Sequence, residues 1–325
     1  MRRVNDSNLQ EMYFKKLSYA PKTRGVIIIL IANIFFAVNM PVSKEITPKW
    51  IDPFGLSLLR ISFAFVSFFI LSLVLKSKQK FSLKEHLTLM LCGLLGTTLN
   101  QMSFLGGLAR TSPVDASLII TITPILTMLF AALIIKEPIT FKKAFGVLVG
   151  LSGAFLILYA SYNGHFAQSG SITGNLIVLI SSFVFALYLV IVRPLMIKYP
   201  PIEIMKWSFF YGMLFSAPFC LKYVKMAEGA GLTQYLQLGY ALFFGTFIAY
   251  LLVSFALKLL RPTTVSMFNY VQPLIASFIA IAIGQDTMNW TKPVSAFLIF
   301  AGVFLVIRSK SRDDLERAQI EKINK

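Results

Sequence analysis

Apolar runs of about 20 residues follow one another along almost the whole chain, each long enough as a helix to cross a hydrocarbon core about 30 Å thick. Unpaired backbone polar groups are costly in lipid, so only helices and closed barrels can span it. The runs are too long and too continuously apolar for barrel strands. That leaves an all-α polytopic membrane protein. Composition agrees: 56% of the 325 residues are hydrophobic and the mean hydropathy is +0.72, where a soluble domain of this length is far more polar. Residues 1–24 are polar and basic, and no small-residue cleavage site follows the first run, so no removable signal peptide is expected.

The hydropathy pattern predicts ten transmembrane helices, at 25–44, 53–75, 86–108, 113–135, 142–160, 174–193, 204–221, 236–257, 263–284 and 293–307. Assigning the Lys and Arg residues to alternate joints puts 24 on one side and 6 on the other, with Arg60 inside the second helix. The positive-inside bias then places both termini in the cytoplasm. It also accounts for the net charge of +17 without nucleic acid, and a basic face of this kind attracts anionic lipid. Cys92 and Cys220 each lie within an apolar run and read as small hydrophobes rather than as a disulfide or zinc site.

The chain is written twice. "TITPILTMLFAALIIKE" (121–137) returns as "YVQPLIASFIAIAIGQD" (270–286), and the offset of 149 residues holds without gaps far beyond this segment. Gly25 pairs with Gly174, Phe36 with Phe185, Lys44 with Arg193, Gly96-Thr97 with Gly245-Thr246, Pro124 with Pro273 and Gly153 with Gly302. Helices 2 and 7 match poorly, with Arg60 facing Phe209. The domain reading is a tail (1–24), a first five-helix repeat (25–160), an outer linker (161–173), a second repeat (174–308) and a tail (309–325). Five spans are an odd number, so the second repeat enters the membrane from the opposite side. Inverted repeats are the signature of many secondary transporters.

The paired segments resemble the drug/metabolite transporter superfamily, in particular its EamA-type ten-helix members, over about residues 24–308. The resemblance rests on "TITP" and "YVQP", on the acidic ends "IIKE" and "IGQD", and on the following "GLSGAFLIL" and "FAGVFLVI". Where the family commonly has Gly-Glu, this chain has Lys136-Glu137 and Gln285-Asp286. The resemblance implies two inverted five-helix repeats around a central cavity, lined mainly by helices 1, 3, 4, 6, 8 and 9. It also implies transport of small metabolites, often amino acids and often outward.

Proline has no N–H and clashes with the preceding turn, so Pro124 and Pro273 are expected to kink helices 4 and 9 near their middles. The carbonyls of Ile120 and Asn269 would be freed to line a polar cavity. The competing explanation is a packed kink repaired by Ser or Thr. Polar residues gather nearby: Ser117 and Thr121 on helix 4, and Ser266, Asn269 and Gln272 on helix 9. Asn33, Asn100, Gln101, Tyr188 and Tyr250 lie within other apolar runs. Interhelical hydrogen bonds would explain any one of them; as a set they point to a neutral-polar substrate pocket. Its expected aromatic walls are Phe36, Tyr188, Tyr250, Phe268 and Tyr270.

The charged residues are placed toward the membrane faces. Arg60 stands seven residues into helix 2, roughly 10 Å along it, and is expected to snorkel outward rather than touch substrate. Asp115, Glu137 and Asp286 lie near helix ends as candidates for gating or coupling, and His86 is expected to be solvated. No carboxylate sits at mid-depth, so a proton-coupled step would use one of those three, and a uniporter is the alternative. Two histidines, neither deep in a span, argue against an intramembrane enzyme, and there is no Walker loop for ATP hydrolysis. The function expected is secondary transport of small polar or zwitterionic metabolites, with membrane lipid as a neighbour, protons as a candidate co-substrate, and no cofactor, metal or nucleic acid. A lipid-handling protein or a non-transporting scaffold is the alternative.

Overall fold

A computed structural model of the chain describes residues 6–161, 171–282 and 290–310. Ten helical segments cross it in alternating directions. They are α1 (Asp6–Ile46), α2 (Pro53–Val74), α3 (Leu83–Cys92 and Asn100–Leu108), α4 (Pro113–Ile120 and Thr123–Ile134), α5 (Phe141–Ser161), α6 (Ile172–Lys198), α7 (Pro201–Cys220), α8 (Leu232–Leu242 and Ala249–Leu259), α9 (Pro262–Met267 and Val271–Ala282) and α10 (Thr291–Ile307). Six of these runs are long and apolar enough to span a membrane by themselves. Outward-facing Phe69, Leu133, Phe155, Leu176, Phe219 and Phe297 supply the apolar exterior that lipid requires. The helix ends overshoot the hydropathy boundaries, α6 continuing to Lys198 and α1 to Ile46.

The ends of the helices sort onto two faces. On one face Lys198 at the end of α6 pairs with Glu85 at the start of α3 (2.6 Å), and Ser72 at the end of α2 donates to Glu203 at the start of α7 (2.5 Å). This is the face that carries most of the Lys and Arg, called the basic face below. On the opposite face the α1–α2 and α7–α8 loops meet, where Ala227 N–H donates to Trp50 O (2.8 Å). The first helix of each repeat therefore runs the other way: α1 ends on the opposite face and α6 on the basic face. These are two inverted five-helix repeats.

Equivalent residues perform equivalent tasks at the two ends. Lys44 Nζ caps the carbonyls of Leu108, Ala109 and Thr111 at the end of α3 (2.8, 3.2 and 2.9 Å). Its mate Arg193 donates to Lys258 O at the end of α8 (3.4 Å), the position that corresponds to Ala109. α5 and α10, the last helix of each repeat, pack on one another so closely that a Cβ on Gly302 would reach within 2.5 Å of Gly146 O. Neither contributes to the wall of the central cavity described below. α2 and α7 likewise pair across it, Phe68 stacking on Phe209.

The helix breaks differ in kind from the expected kinks. α4 stops at Ile120 and restarts at Thr123, and α9 passes through a 3-10 turn at Phe268–Tyr270. Pro124 and Pro273 therefore sit in the first turn of a new helical segment, where a missing N–H costs nothing. A second pair of breaks had no proline to announce it. α3 and α8 each contain a π-helical turn, Gly93–Leu99 and Phe243–Ile248, ending 149 residues apart. Such turns are frequent at functional sites.

Candidate functional site

The four breaks converge on a central cavity, open on one side, of about 90 Å³. It lies toward the opposite face. α1 contributes Phe36, Asn39 and Met40, and α3 contributes Asn100, Gln101 and Phe104. Ile120 and Thr123 flank the break in α4, and Asn269 and Gln272 flank that in α9. α6 supplies Ser181, Ser182 and Phe185, α8 supplies Tyr250, and α2 supplies Arg60.

Local spacing explains which side chains face inward. Residues three or four apart share a helix face, so Phe36 brings Asn39 and Met40, and Asn100 brings Phe104. The polar groups are then tied across helices. Asn100 Nδ2 donates to Ser181 Oγ (3.0 Å) and to Ser181 O (3.2 Å). The Tyr250 hydroxyl donates to Asn100 Oδ1 (3.1 Å), with Gly96 O as a second acceptor at 3.3 Å. Gln272 Nε2 donates to Asn33 Oδ1 (2.8 Å), while Asn33 Nδ2 returns to Ile29 O (2.9 Å). A further contact from Gln272 to Asn269 Oδ1 is 3.5 Å. Gln101 is the exception: it is 2% exposed, and neither its amide nitrogen nor its oxygen has a partner.

Five of the polar substrate-contact candidates thus line the cavity: Asn100, Gln101, Tyr250, Asn269 and Gln272. Asn33 stands behind Gln272 as its acceptor. The others face protein. Ser117 points to Met40 Sδ (3.2 Å), Thr121 donates to Leu118 O (2.5 Å) at the break, and Ser266 donates to Thr263 O (3.0 Å). Tyr188 is buried on the side of the basic face, its ring against Gly96, where a Cβ would overlap it. Of the expected aromatic walls Phe36 and Tyr250 are present, whereas Phe268 and Tyr270 belong to the core, Tyr270 packing on Gly150.

Arg60 corrects the expectation of snorkelling. It is 3% exposed and points inward, with Nε donating to Thr246 Oγ1 (2.7 Å) and Nη2 to Gly245 O (3.1 Å). The π turn of α8 supplies these acceptors: a wider turn leaves carbonyls off the regular ladder, and a guanidinium satisfies them better than lipid can. The sequence held one clue, since Gly245-Thr246 repeats Gly96-Thr97 at the same depth. Asn39, Ser181 and Ser182 also escaped notice, because single polar residues in apolar helices usually bond locally.

The candidate gating acids are placed as follows. Glu137 is buried at the basic face beside Lys143 Nζ (2.8 Å) and Arg261 Nη1 (3.5 Å). Arg261 in turn holds the end of α10 through Val306 O and Ser309 O (2.9 and 3.0 Å). Asp115 begins α4, its N–H capped by Ser112 Oγ (3.0 Å) and its carboxylate accepting from Thr111 Oγ1 (3.5 Å). Asp286 lies outside the described residues. His86 is not simply solvated: its Nδ1 contacts Tyr211 OH (2.9 Å) and its ring lies edge-on to Trp207. Among the described residues no cluster of His, Cys, Asp or Glu could hold a metal ion.

The model of the EamA-like transporter family matches the chain twice, over residues 23–159 and 172–308. The chain belongs to the EamA-like transporter family. It is a multi-pass membrane transporter and not an enzyme. A protein of Archaeoglobus fulgidus named an uncharacterized transporter is 21% identical, over 81% of this chain and 91% of its own. A probable terminal-alkyne amino-acid exporter of Streptantibioticus cattleyicolor is 27% identical over 50% of this chain and 53% of its own. A crystal structure 17% identical in sequence superposes with a TM-score of 0.68, covering 90% of this chain and 99% of that one, and so shares the fold.

Proposed function

We propose that this transporter exports small polar or zwitterionic metabolites, amino acids or related compounds, through the central cavity by alternating access. One observation carries the reading. The two repeats are alike in sequence, yet one half of the centre holds the cavity and the other is packed shut. Asn39, Met40 and Arg60 stand on the cavity wall, whereas their repeat mates Tyr188, Leu189 and Phe209 belong to the main apolar core and not to the wall. Exchanging the conformations of the two repeats would close the present cavity and open its counterpart on the basic face.

The remaining assignments follow from that reading. The moving units are residues 25–160 and 174–308, joined by the linker 161–173 and flanked by the tails 1–24 and 309–325. The bias of 24 basic residues to 6 supports a plasma (inner) membrane protein with both termini in the cytoplasm, its basic face against anionic lipid. Asn100, Gln101, Tyr250, Asn269 and Gln272 contact substrate, and Asn33 orients Gln272. Ser117, Thr121, Tyr188 and Ser266 support the walls. Glu137, with Lys143 and Arg261, forms the cytoplasmic gate, and Asp115 and Asp286, the latter the repeat mate of Glu137, are the candidates for proton coupling. No cofactor is needed for such a cycle.

Reconstitution in liposomes tests the proposal. Labelled amino acids and related solutes are screened with and without a pH gradient. We expect uptake of one chemical class, abolished by Asn269→Ala and reduced several-fold by Tyr250→Ala. Undiminished uptake in both variants would remove the cavity as the binding site. In a cysteine-free background, a reagent confined to the outer face should label Ala167→Cys and spare Gln79→Cys; the reverse pattern would invert the topology.

A further inference from the structure

We infer that the cavity is a carboxylate site, in which Arg60 receives the single carboxylate of a small substrate whose apolar body lies against Phe36, Phe104 and Phe185. The inference deepens the proposed function and rests on its reading of the cavity as the transport site.

The case begins with charge. Arg60 is a cavity-lining cation, and among the described residues none of the others on the wall is Asp, Glu, Lys or Arg. None of the ion pairs among the described residues includes it. A buried cation with no counter-charge is costly, and hydrogen bonds from a hydroxyl and a carbonyl offset only part of that cost. Arginine offers five N–H donors. The protein acceptors account for Nε–H and one N–H of Nη2, while Nη1 is buried without any partner. Arg60 is therefore anchored on one edge and unsatisfied on the other. A carboxylate, which binds a guanidinium through two parallel hydrogen bonds, complements what is left.

The same wall supplies a second unsatisfied group. Gln101 is buried with both amide atoms unpartnered, and it lines the cavity with Arg60. Its nitrogen can donate to an anion, and its oxygen can accept from an ammonium if the substrate carries one. The charge count limits the anion. One arginine neutralises one carboxylate, whereas a phosphate dianion would leave excess negative charge in a low-dielectric chamber. Elsewhere the wall mixes neutral polar groups with Phe36, Phe104, Phe185, Met40 and Ile120, and these five suit an apolar substituent. A plain monocarboxylate and an amino acid share this chemistry.

Paired probes separate the possibilities. Labelled leucine, leucinamide, isovalerate and isovaleramide, and the corresponding phenylalanine and 3-phenylpropionate pairs, are offered to proteoliposomes holding the intact protein. Each acid should be transported about ten- to a hundred-fold better than its amide, the range expected for losing one charged hydrogen-bonded contact. The amino acids and the monocarboxylates then reveal whether the ammonium adds to recognition. Arg60→Gln should erase the preference for acids, and Arg60→Lys should retain part of it. The comparison of acid with amide in the unaltered protein needs no variant, so a folding defect at Arg60 cannot mask the answer. If acids and amides move alike in the unaltered protein and Asn269→Ala stops both, the carboxylate site is refuted and the transport cavity stands. If transport of all probes ignores Asn269→Ala, both readings fall.

Discussion

The two halves of the central layer share a backbone plan and differ in what fills it. Toward the opposite face, Asn39, Met40, Arg60 and Phe104 surround open space. Toward the basic face their mates Tyr188, Leu189, Phe209 and Val253 interlock, with Phe209 edge-on to Tyr250 at 5.2 Å and stacked on Phe68 at 5.5 Å. Helix breaks occur in both halves and cannot by themselves explain the cavity. Side-chain chemistry does. Large apolar groups pack to the density of a protein interior, whereas a cation and an amide, Arg60 and Asn39, border polar space. The difference teaches that symmetry supplies the backbone scaffold, and departures from symmetry set which side of the centre holds the cavity.

Matched substitutions at repeat-related positions can break this comparison. The largest effect should come from the packed half. Leu189→Ala should cost about 2–5 kcal/mol of stability in detergent, while Met40→Ala, at the equivalent site on the cavity wall, should cost distinctly less. Equal losses in denaturant titrations would mean that the two halves are packed alike. Next are the helix-end clasps. Lys44→Met removes three charged hydrogen bonds and should cost about 1.5–3 kcal/mol, against about 0.5–1.5 for Arg193→Met with its one long contact. A reversed order would show that the basic face, not the opposite one, is the more tightly held.

Glycine contacts sharpen the point. A Cβ on Gly96 meets the Tyr188 ring, enclosed on all sides, whereas one on Gly245 meets Asn39, which borders the cavity and can give way. Gly96→Ala should therefore lower stability by about 1–3 kcal/mol. Gly245→Ala should leave melting nearly unchanged and impair transport instead. Loss of stability in both would argue that Asn39 has nowhere to go. The smallest effect has the opposite sign. Lys136 closes α4 in a left-handed conformation (φ 53°), with Glu137 N–H reaching back to Ala131 O (3.0 Å). Glycine adopts that conformation without strain, so Lys136→Gly should stabilise the protein by about 1 kcal/mol. No gain on thermal melting would show that the lysine side chain contributes something that offsets its backbone strain.

Much of the cavity's polar lining was legible in the sequence. Asn100, Gln101, Tyr250, Asn269 and Gln272 stood out as polar groups where lipid forbids them, and all five reach the cavity. Tyr188 stood out for the same reason and is core, because its ring is the plug against Gly96 rather than a wall. Arg60 was read as snorkelling because its distance from the helix end allows it. Its acceptor lies 186 residues away, on a π turn that no composition rule announces.

The amino-acid order by itself determined the membrane helices, the inverted duplication and the neighbourhood of the proline breaks. Each follows from local rules: lipid demands satisfied backbone, an odd repeat reverses direction, and proline restarts a helix. Tertiary structure alone decided which side of the centre holds the cavity and where Arg60 points. A helix offers several faces at similar cost, and only contact with distant segments selects among them.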